Sequence, residues 1–402
     1  MNINIIYKSL MNNLNKMQLN LIFNNLRFLL ADIKSYPVLK SDILFICHDN
    51  DRGYLFNGIA YCPLIDSLRD EFERNNINCI SMASPYSTLK NCLAYGNPIS
   101  INGRYARMKL KAFVISHIFG RNLRSDIETN FWVKIIENHS PRVIIGIAPF
   151  KNLCKAARIK GIEICDVQHG IIEFGFGYYK LNALNNNSYQ YTPNKILCWD
   201  GVSARSIKEN WPWVLPINSG NPWINKFLKI PDDPIVIKET SEINKRLCSD
   251  GIFLLITTQW SINSLRYHEI EIPPNIISVL RELEVLGVVI CIKFHPVEIR
   301  QIGQKKLHAS ARETFGEGMW SRIIDVSEFA LPAILKRVNY HITAYSASVI
   351  DATLLGKKSG LWAFENRMEA WFRDYIDLGF VDILPTNHDE ILKHISCKIF
   401  NE

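Results

Sequence analysis

The feature that most constrains this chain is a rhythm of short, almost wholly apolar runs, each followed by a longer stretch with helical spacing. Ile43-Leu-Phe-Ile-Cys47, Val143-Ile-Ile-Gly-Ile147, Gly251-Ile-Phe-Leu-Leu-Ile-Thr257 and Val288-Val-Ile-Cys-Ile-Lys-Phe294 are such runs. A strand that is apolar on both faces belongs where helices cover both sides of a parallel sheet. Helical periods are predicted over 64–75, 105–119, 127–138 and 153–160, with further strands at 78–82 and 162–167; Pro141 and Gly161 punctuate the succession. This is βαβ grammar with right-handed crossovers. It restarts after Asn218-Ser-Gly-Asn-Pro222 and Ile230-Pro-Asp-Asp-Pro234: helices over 274–286, 329–338 and 348–355, strands at 323–325, 341–343 and 360–364, the last closing the second sheet.

At 402 residues and 48% apolar content, the chain can bury two cores of ordinary domain size. The predicted organisation is a helical extension over 1–40, a Rossmann-like domain over 41–228 and a second over 229–402. The net charge of +7 comes from 46 basic residues interspersed with 39 acidic ones, which does not favour nucleic acid but suits an anionic substrate or a membrane surface. Ten cysteines without a C-x-x-C pair read as reduced core residues. With no run approaching the roughly 20 apolar residues of a membrane span and no secretory signal after Met1, the expectation is a soluble, cytoplasmic protein.

Neither half carries G-x-x-x-x-G-K-[ST] or a G-x-G-x-x-G after its first strand, so ATP hydrolysis and nicotinamide chemistry lose their best support. Histidines stand at two strand ends instead: Gln168-His169-Gly170, and Lys293-Phe-His295-Pro296. Open α/β sheets gather ligands at their carboxyl edges, so two such histidines in separate halves predict a cleft between two sheets.

Pro141-Arg-Val-Ile-Ile-Gly together with Ala156-Ala-Arg-Ile-Lys-Gly161 through Gln168-His169-Gly170 resembles the N-terminal domain of bacterial GT-B glycosyltransferases that build capsule, O-antigen and related surface polysaccharides. The strand Lys195-Ile-Leu-Cys-Trp-Asp200 and the turn Gly220-Asn221-Pro222 follow in the family's order. Lys293-x-His295-Pro296 and Tyr345-Ser-Ala-Ser348-x-x-Asp351 resemble donor-domain motifs of capsule synthesis proteins, bacterial sialyl- and polysialyltransferases, and teichoic acid glycerophosphotransferases. The resemblance implies an α/β GT-B fold, two doubly wound domains facing across a cleft, and a metal-independent, inverting transferase needing no cofactor beyond its nucleotide-sugar substrate. It also implies a glycan or undecaprenyl-linked oligosaccharide acceptor, and a place in the cytoplasm or at the inner face of the membrane. A CMP-linked nonulosonate is the implied donor, although the acidic pair preceding Gly in polysialyltransferases has no counterpart, since Asp250-Gly251 follows Ser249.

Glycosyl transfer needs a stabilised phosphate leaving group and a base for the acceptor hydroxyl. His295, Lys293, Ser346, Ser348, Thr257, Thr258 and Gln259, with Pro296 fixing the turn, are the donor and phosphate candidates. His169, whose imidazole titrates near ~6.5 when unperturbed, is the first candidate base, with Asp166, Asp49 and Asp51 as rivals and Gln168 and Gly170 beside it on the acceptor side. Plainer readings stand next to these: strand termini for both histidines, a capping box for Ser348-x-x-Asp351, N-cap chemistry for 48–53, a solvated charge for Lys293. Trp211, Trp213, Trp223 and Trp260 suit either sugar stacking or the core. The opening helix over 10–33 suits a membrane surface or, better, its own domain; the basic stretch Arg104, Arg107, Lys109, Lys111, Arg121, Arg124 suits anionic headgroups or a solvated face. A nucleotide-sugar 2-epimerase of the same fold and a non-catalytic assembly scaffold remain as alternatives.

Overall fold

The computed structural model describes residues 26–31, 37–119, 123–172, 188–247, 250–259, 272–362 and 366–400. They form two compact units. The first comprises the chain up to His169, the segment ending at Cys198, and Ile207–Ile217; the second comprises Gly170–Glu173, Trp199–Ser206 and everything from Asn218 onward.

In the first unit the strands are β1 (Ile43–Cys47), β2 (Tyr54–Phe56), β3 (Ile59–Tyr61), β4 (Cys79–Ala83), β5 (Val143–Gly146), β6 (Glu163–Val167), β7 (Lys195–Cys198) and β8 (Leu215–Asn218). Six of them make one sheet in the order β4-β1-β5-β6-β7-β8, with β1 parallel to both β4 and β5. Alternate residues of β1 serve two cores: Leu44 and Ile46 pack with Trp132 and Leu153 on one face, Phe45 and Cys47 with Ile65 and Leu68 on the other. That is why the run had to be apolar throughout. Gly146 pairs with Ile46, and a Cβ there would come within 3.1 Å of the Ile46 carbonyl oxygen, so this register favours glycine. The hairpin β2–β3 lies outside the sheet and turns on Asn57-Gly58, both at positive φ. Asn-Gly between two strands is a strong hairpin signal.

The second unit holds β9 (Ile252–Thr257), β10 (Val288–Lys293), β11 (Ile324–Asp325), β12 (Tyr340–Thr343), β13 (Ser359–Leu361) and β14 (Val381–Ile383). They form a parallel sheet in the order β11-β10-β9-β12-β13-β14. From β9 the chain winds outward through β10 and β11, then returns to β12 and winds the other way. The switch therefore falls between β9 and β12, the place where open α/β sheets open a crevice. The expected closing strand at 360–364 is corrected: β13 is followed by β14, and the helix His388–Phe400 then returns its Ile391, Ile395 and Ile399 to the core beside Val279, Leu280 and Leu283.

The boundary near residue 228 shifts. Residues 218–228, assigned to the first domain from sequence, belong to the second unit. The reason is the helix Pro222–Lys229, which packs on the helix Leu331–Arg337, where Lys336 Nζ donates to the Phe227 carbonyl. Of the predicted extension, the opening helix lies largely outside the described residues; the described piece 26–31 meets the helix Asn102–Phe119, where Arg107 donates to Leu29 O at 2.8 Å. In the basic stretch Lys109 pairs with Glu128 at 2.7 Å, and Arg121 lies outside the described residues. Cys47, Cys62, Cys154, Cys165, Cys198 and Cys291 are buried free thiols, whereas Cys79 is half-buried and Cys92 and Cys397 are exposed, so the core reading holds for six of the nine described cysteines. No helix among the described residues is long and apolar enough to cross a membrane.

Candidate functional site

The switch point of the second sheet carries a hydrogen-bonded cluster built from residues far apart in sequence. Thr257 ends β9 and Thr343 ends β12; Thr343 Oγ1 donates to the Thr257 carbonyl at 2.8 Å. Thr257 Oγ1 lies 2.9 Å from Ser348 Oγ and 2.9 Å from Nε2 of His341, whose Nδ1 lies 2.8 Å from Ser359 Oγ. His341 is 0% exposed, and loss of water pushes its imidazole down to about 3, so the ring is neutral. In the sequence His341 stands as a polar residue within an apolar strand, the one local sign of its place in the cluster.

Ser348 opens the helix Ser348–Leu354, but the predicted capping box is corrected. The cap position is Ala347 with no side-chain bond, and the Ser348 hydroxyl turns inward to Thr257. Ser346 Oγ accepts from the Ser348 amide at 3.3 Å. Asp351 instead accepts from Asn221 Nδ2 at 2.8 Å, and burial pushes its carboxyl up to about 7. Asn221 Oδ1 meanwhile accepts from the Trp223 amide at 3.0 Å, capping Pro222–Lys229. The Gly-Asn-Pro turn is thereby tied to the helix after β12.

His295 is the N-cap of the helix Pro296–Ile302, with Pro296 at the first helical position. Its Nδ1 accepts from the Val297 amide at 3.2 Å, while Glu298 Oε2 accepts from the His295 amide at 3.1 Å and from Thr258 Oγ1 at 2.6 Å. An accepting Nδ1 leaves the proton on Nε2. Burial, with Lys293 and Arg300 nearby, pushes this imidazole down to about 4, so the half-buried ring is a neutral N–H donor at physiological pH. Lys293 is not brought into the hydroxyl cluster. Its Nζ donates to the carbonyls of Ser327 at 3.0 Å and Phe329 at 2.7 Å, holding the turn after β11, and burial pushes it down to about 8. Beside Thr258 and Glu298 lies a water-sized cavity of about 10 Å³, lined also by Gln259, Ile272, Ala344, Tyr345 and Trp362.

In the first unit His169 is exposed just past the end of β6. Gln168 is buried and its amide donates to Leu197 O at 3.1 Å, which fixes the strand end beneath the ring. Asp166, 0% exposed, accepts from the Ala148 amide at 2.9 Å, where Ala148 holds a positive φ of 46°. A carboxylate sealed inside the sheet supports the turn after β5; it has no surface on which to meet an incoming hydroxyl. Gly170 is half-buried.

The other rival bases are also engaged locally. Asp49 Oδ2 accepts from the Thr88 amide at 2.6 Å and its hydroxyl at 2.9 Å, pinning the loop after β4. Asp51 Oδ2 accepts from the His48 amide at 3.3 Å, and His48 Nδ1 accepts from the Asn50 amide at 3.0 Å. The N-cap expected in this loop is thus His48, with Asp51 completing its box. His48/Asp51 and His295/Glu298 are the same device, built after a strand in each unit. Trp211 and Trp223 are buried, in keeping with a packing role, and Trp213 Nε1 donates to Thr192 Oγ1 at 3.2 Å; Trp260 lies outside the described residues. Among the described residues no group of three or more His, Cys, Asp or Glu side chains is placed to hold a metal ion.

No family model and no curated protein matches this sequence. Solved structures do. The chain is similar to the wall teichoic acid polymerase TagF, with a TM-score of 0.53 at 14% identity over 99% of this chain and 92% of that one. It is similar as well to the UDP-GlcNAc 2-epimerase of Methanocaldococcus jannaschii, with a TM-score of 0.54 at 12% identity over 89% and 93%. The enzyme of that name from Neisseria meningitidis, solved with UDP-GlcNAc, gives a TM-score of 0.51 at 11% identity over 88% and 90%. The fold is accordingly α/β, two doubly wound parallel-sheet domains of the GT-B type.

Proposed function

We propose that this protein is a nucleotide-sugar enzyme, and specifically a glycosyltransferase acting on a glycan or lipid-linked acceptor in bacterial surface polysaccharide assembly. The observation that carries the reading is the gathering of Thr258, His295, Ser346 and Ser348 at the carboxyl edge of β9, β10 and β12, around the switch point of the second sheet. Donors fixed in place before the ligand arrives stabilise developing phosphate charge without reorganisation. His295 serves through Nε2–H, its tautomer set by the Val297 amide. His169, exposed at the end of β6, accepts the proton of the acceptor hydroxyl. Lys293 acts by holding the β11 turn, and no metal enters the transfer step. The nucleotide-bearing neighbours, solved with UDP or UDP-GlcNAc, support a nucleotide-sugar ligand.

The test is titration with UDP-, CDP-, GDP- and dTDP-sugars followed by a transfer assay. His295→Ala is expected to weaken nucleotide binding about tenfold, roughly the worth of one charge-assisted hydrogen bond. His169→Ala is expected to leave binding intact and to lower turnover about 100-fold or more. Full transfer with unchanged affinity in both variants sinks the assignment. The epimerase neighbours support a second reading; release of a free epimerised sugar from UDP-GlcNAc without acceptor would select it.

A further inference from the structure

The hydroxyl cluster at the switch point of the second sheet holds more protons than it can place. Ser359, His341, Thr257 and Ser348 form one line: His341 Nδ1 lies 2.8 Å from Ser359 Oγ, its Nε2 lies 2.9 Å from Thr257 Oγ1, and Thr257 Oγ1 lies 2.9 Å from Ser348 Oγ. The direct approach of Nε2 to Ser348 Oγ, at 3.4 Å, is the weaker contact. Among the described residues these side-chain atoms have no hydrogen-bond partner outside the line. His341 is sealed within β12 with only hydroxyls as partners, so its ring is neutral and carries a single N–H. Three hydroxyl protons and one ring proton therefore share three links, and one proton is surplus.

Each of the three hydroxyls could hold that proton, at different cost. On Ser359, 0% exposed and paired with His341 across β12 and β13, an idle O–H would carry the full penalty of an unmet buried donor. On Thr257, at the end of the central strand β9, two bonds would meet head to head and forfeit the mutual polarisation of bonds that all point one way. On Ser348, past the carboxyl end of β12 and the most exposed of the three at 6%, the proton is left for an oxygen supplied from outside. The line then runs in one direction. Ser359 Oγ–H donates to Nδ1, Nε2–H donates to Thr257, and Thr257 Oγ1–H donates to Ser348.

We infer that Ser359 and His341 are positioning residues: sealed inside the sheet, they fix the Ser348 hydroxyl as a donor, so that this point of the site takes an oxygen with lone pairs and no proton, such as that of a phosphate. The inference rests on the nucleotide-sugar reading above and adds to it the origin of the donor's direction.

The test uses the full chain, labelled at its histidine nitrogens. Long-range proton–nitrogen NMR reads which ring nitrogen bears the proton, and Ser359→Ala, by removing the bond to Nδ1, picks out the signals of His341. A ring protonated at Nε2 is expected; a ring protonated at Nδ1 overturns the inference without any ligand. UDP, CDP, GDP and dTDP are then titrated calorimetrically, and the nucleotide that binds is carried through a double-mutant cycle. Ser348→Ala is expected to weaken it about tenfold and Ser359→Ala about threefold. In the Ser348→Ala background the second substitution should change nothing further, because the proton it directs is gone. A packing role for Ser359 would give the same loss in both backgrounds, so additive losses overturn the inference, as does full affinity in Ser348→Ala. Where Ser359→Ala does not fold, His341→Asn identifies the signals and Ser348→Ala carries the binding test. Failure of every nucleotide to bind the wild type would instead overturn the nucleotide reading, and the outward role of Ser348 with it; the tautomer of His341 is decided by its own spectrum.

Discussion

The buried histidines give the protein a pH dependence with a definite sign. His341 and His295 titrate at about 3 and about 4 in the folded state, well below the unfolded value near ~6.5, because burial penalises their charged forms. The unfolded chain therefore binds more protons between those values, and stability falls as pH drops from about 6.5 toward 4. Asp351 works the other way: its folded value of about 7 lies above the unfolded carboxyl range, so its contribution is greatest at low pH and is lost as pH rises through 7. In urea denaturation from pH 7.5 to 4.5, His341→Asn should lose less stability on acidification than the wild type does. An unchanged slope would mean that His341 is not the neutral, sealed ring described. Thr257 and Ser348 share one hydroxyl pair with His341, so the loss should also loosen nucleotide binding; Ser359→Ala, at the far end of the ring, provides a milder version of the same test.

At the scale of elements, caps do much of the positioning. Asn221 closes the Pro222–Lys229 helix with Oδ1 and holds Asp351 with Nδ2. Asn221→Ala should cost about 1–2 kcal/mol, a typical cap loss, measured as a lowered urea midpoint; Asn221→Asp, which keeps the cap but faces Asp351 with a second carboxylate, should recover less than a cap alone would predict. The hairpin between β2 and β3 depends on positive φ at Asn57 and Gly58, so Gly58→Val should destabilise it by more than about 1 kcal/mol, read from a lowered midpoint. Most elements were legible in the sequence: β1 and the helix beginning at Pro274 stand where their apolar spacing puts them. The exceptions have local causes. The box at Ser348-x-x-Asp351 fails because Ser348 finds a better partner in Thr257, and β14 was missed because Val381-Asp-Ile383 is too short and too polar to stand out.

At the scale of the molecule, each unit buries its own core, which predicts calorimetric unfolding in more than one step. A nucleotide that binds the second unit at 100 times its dissociation constant should stabilise that unit's transition by about 2.7 kcal/mol. A ligand that shifted only the transition of the first unit would contradict the site assignment. Both assignments can be followed in one instrument, since single-unit variants such as Asn221→Ala identify which transition belongs to which unit.

What the amino-acid order decides alone is local. Continuous apolar runs can only be strands covered on both faces, and His295-Pro296 must start a helix at a strand end, because those preferences are set by neighbours a few residues away. The cluster at the switch point was beyond that reach. Thr257 meets His341 at a separation of 84 residues and Ser348 at 91. Hydrogen bonds need their partners within about 3 Å. Only the winding order of the sheet, with helices closing both of its faces, brings residues so far apart in the chain to that distance.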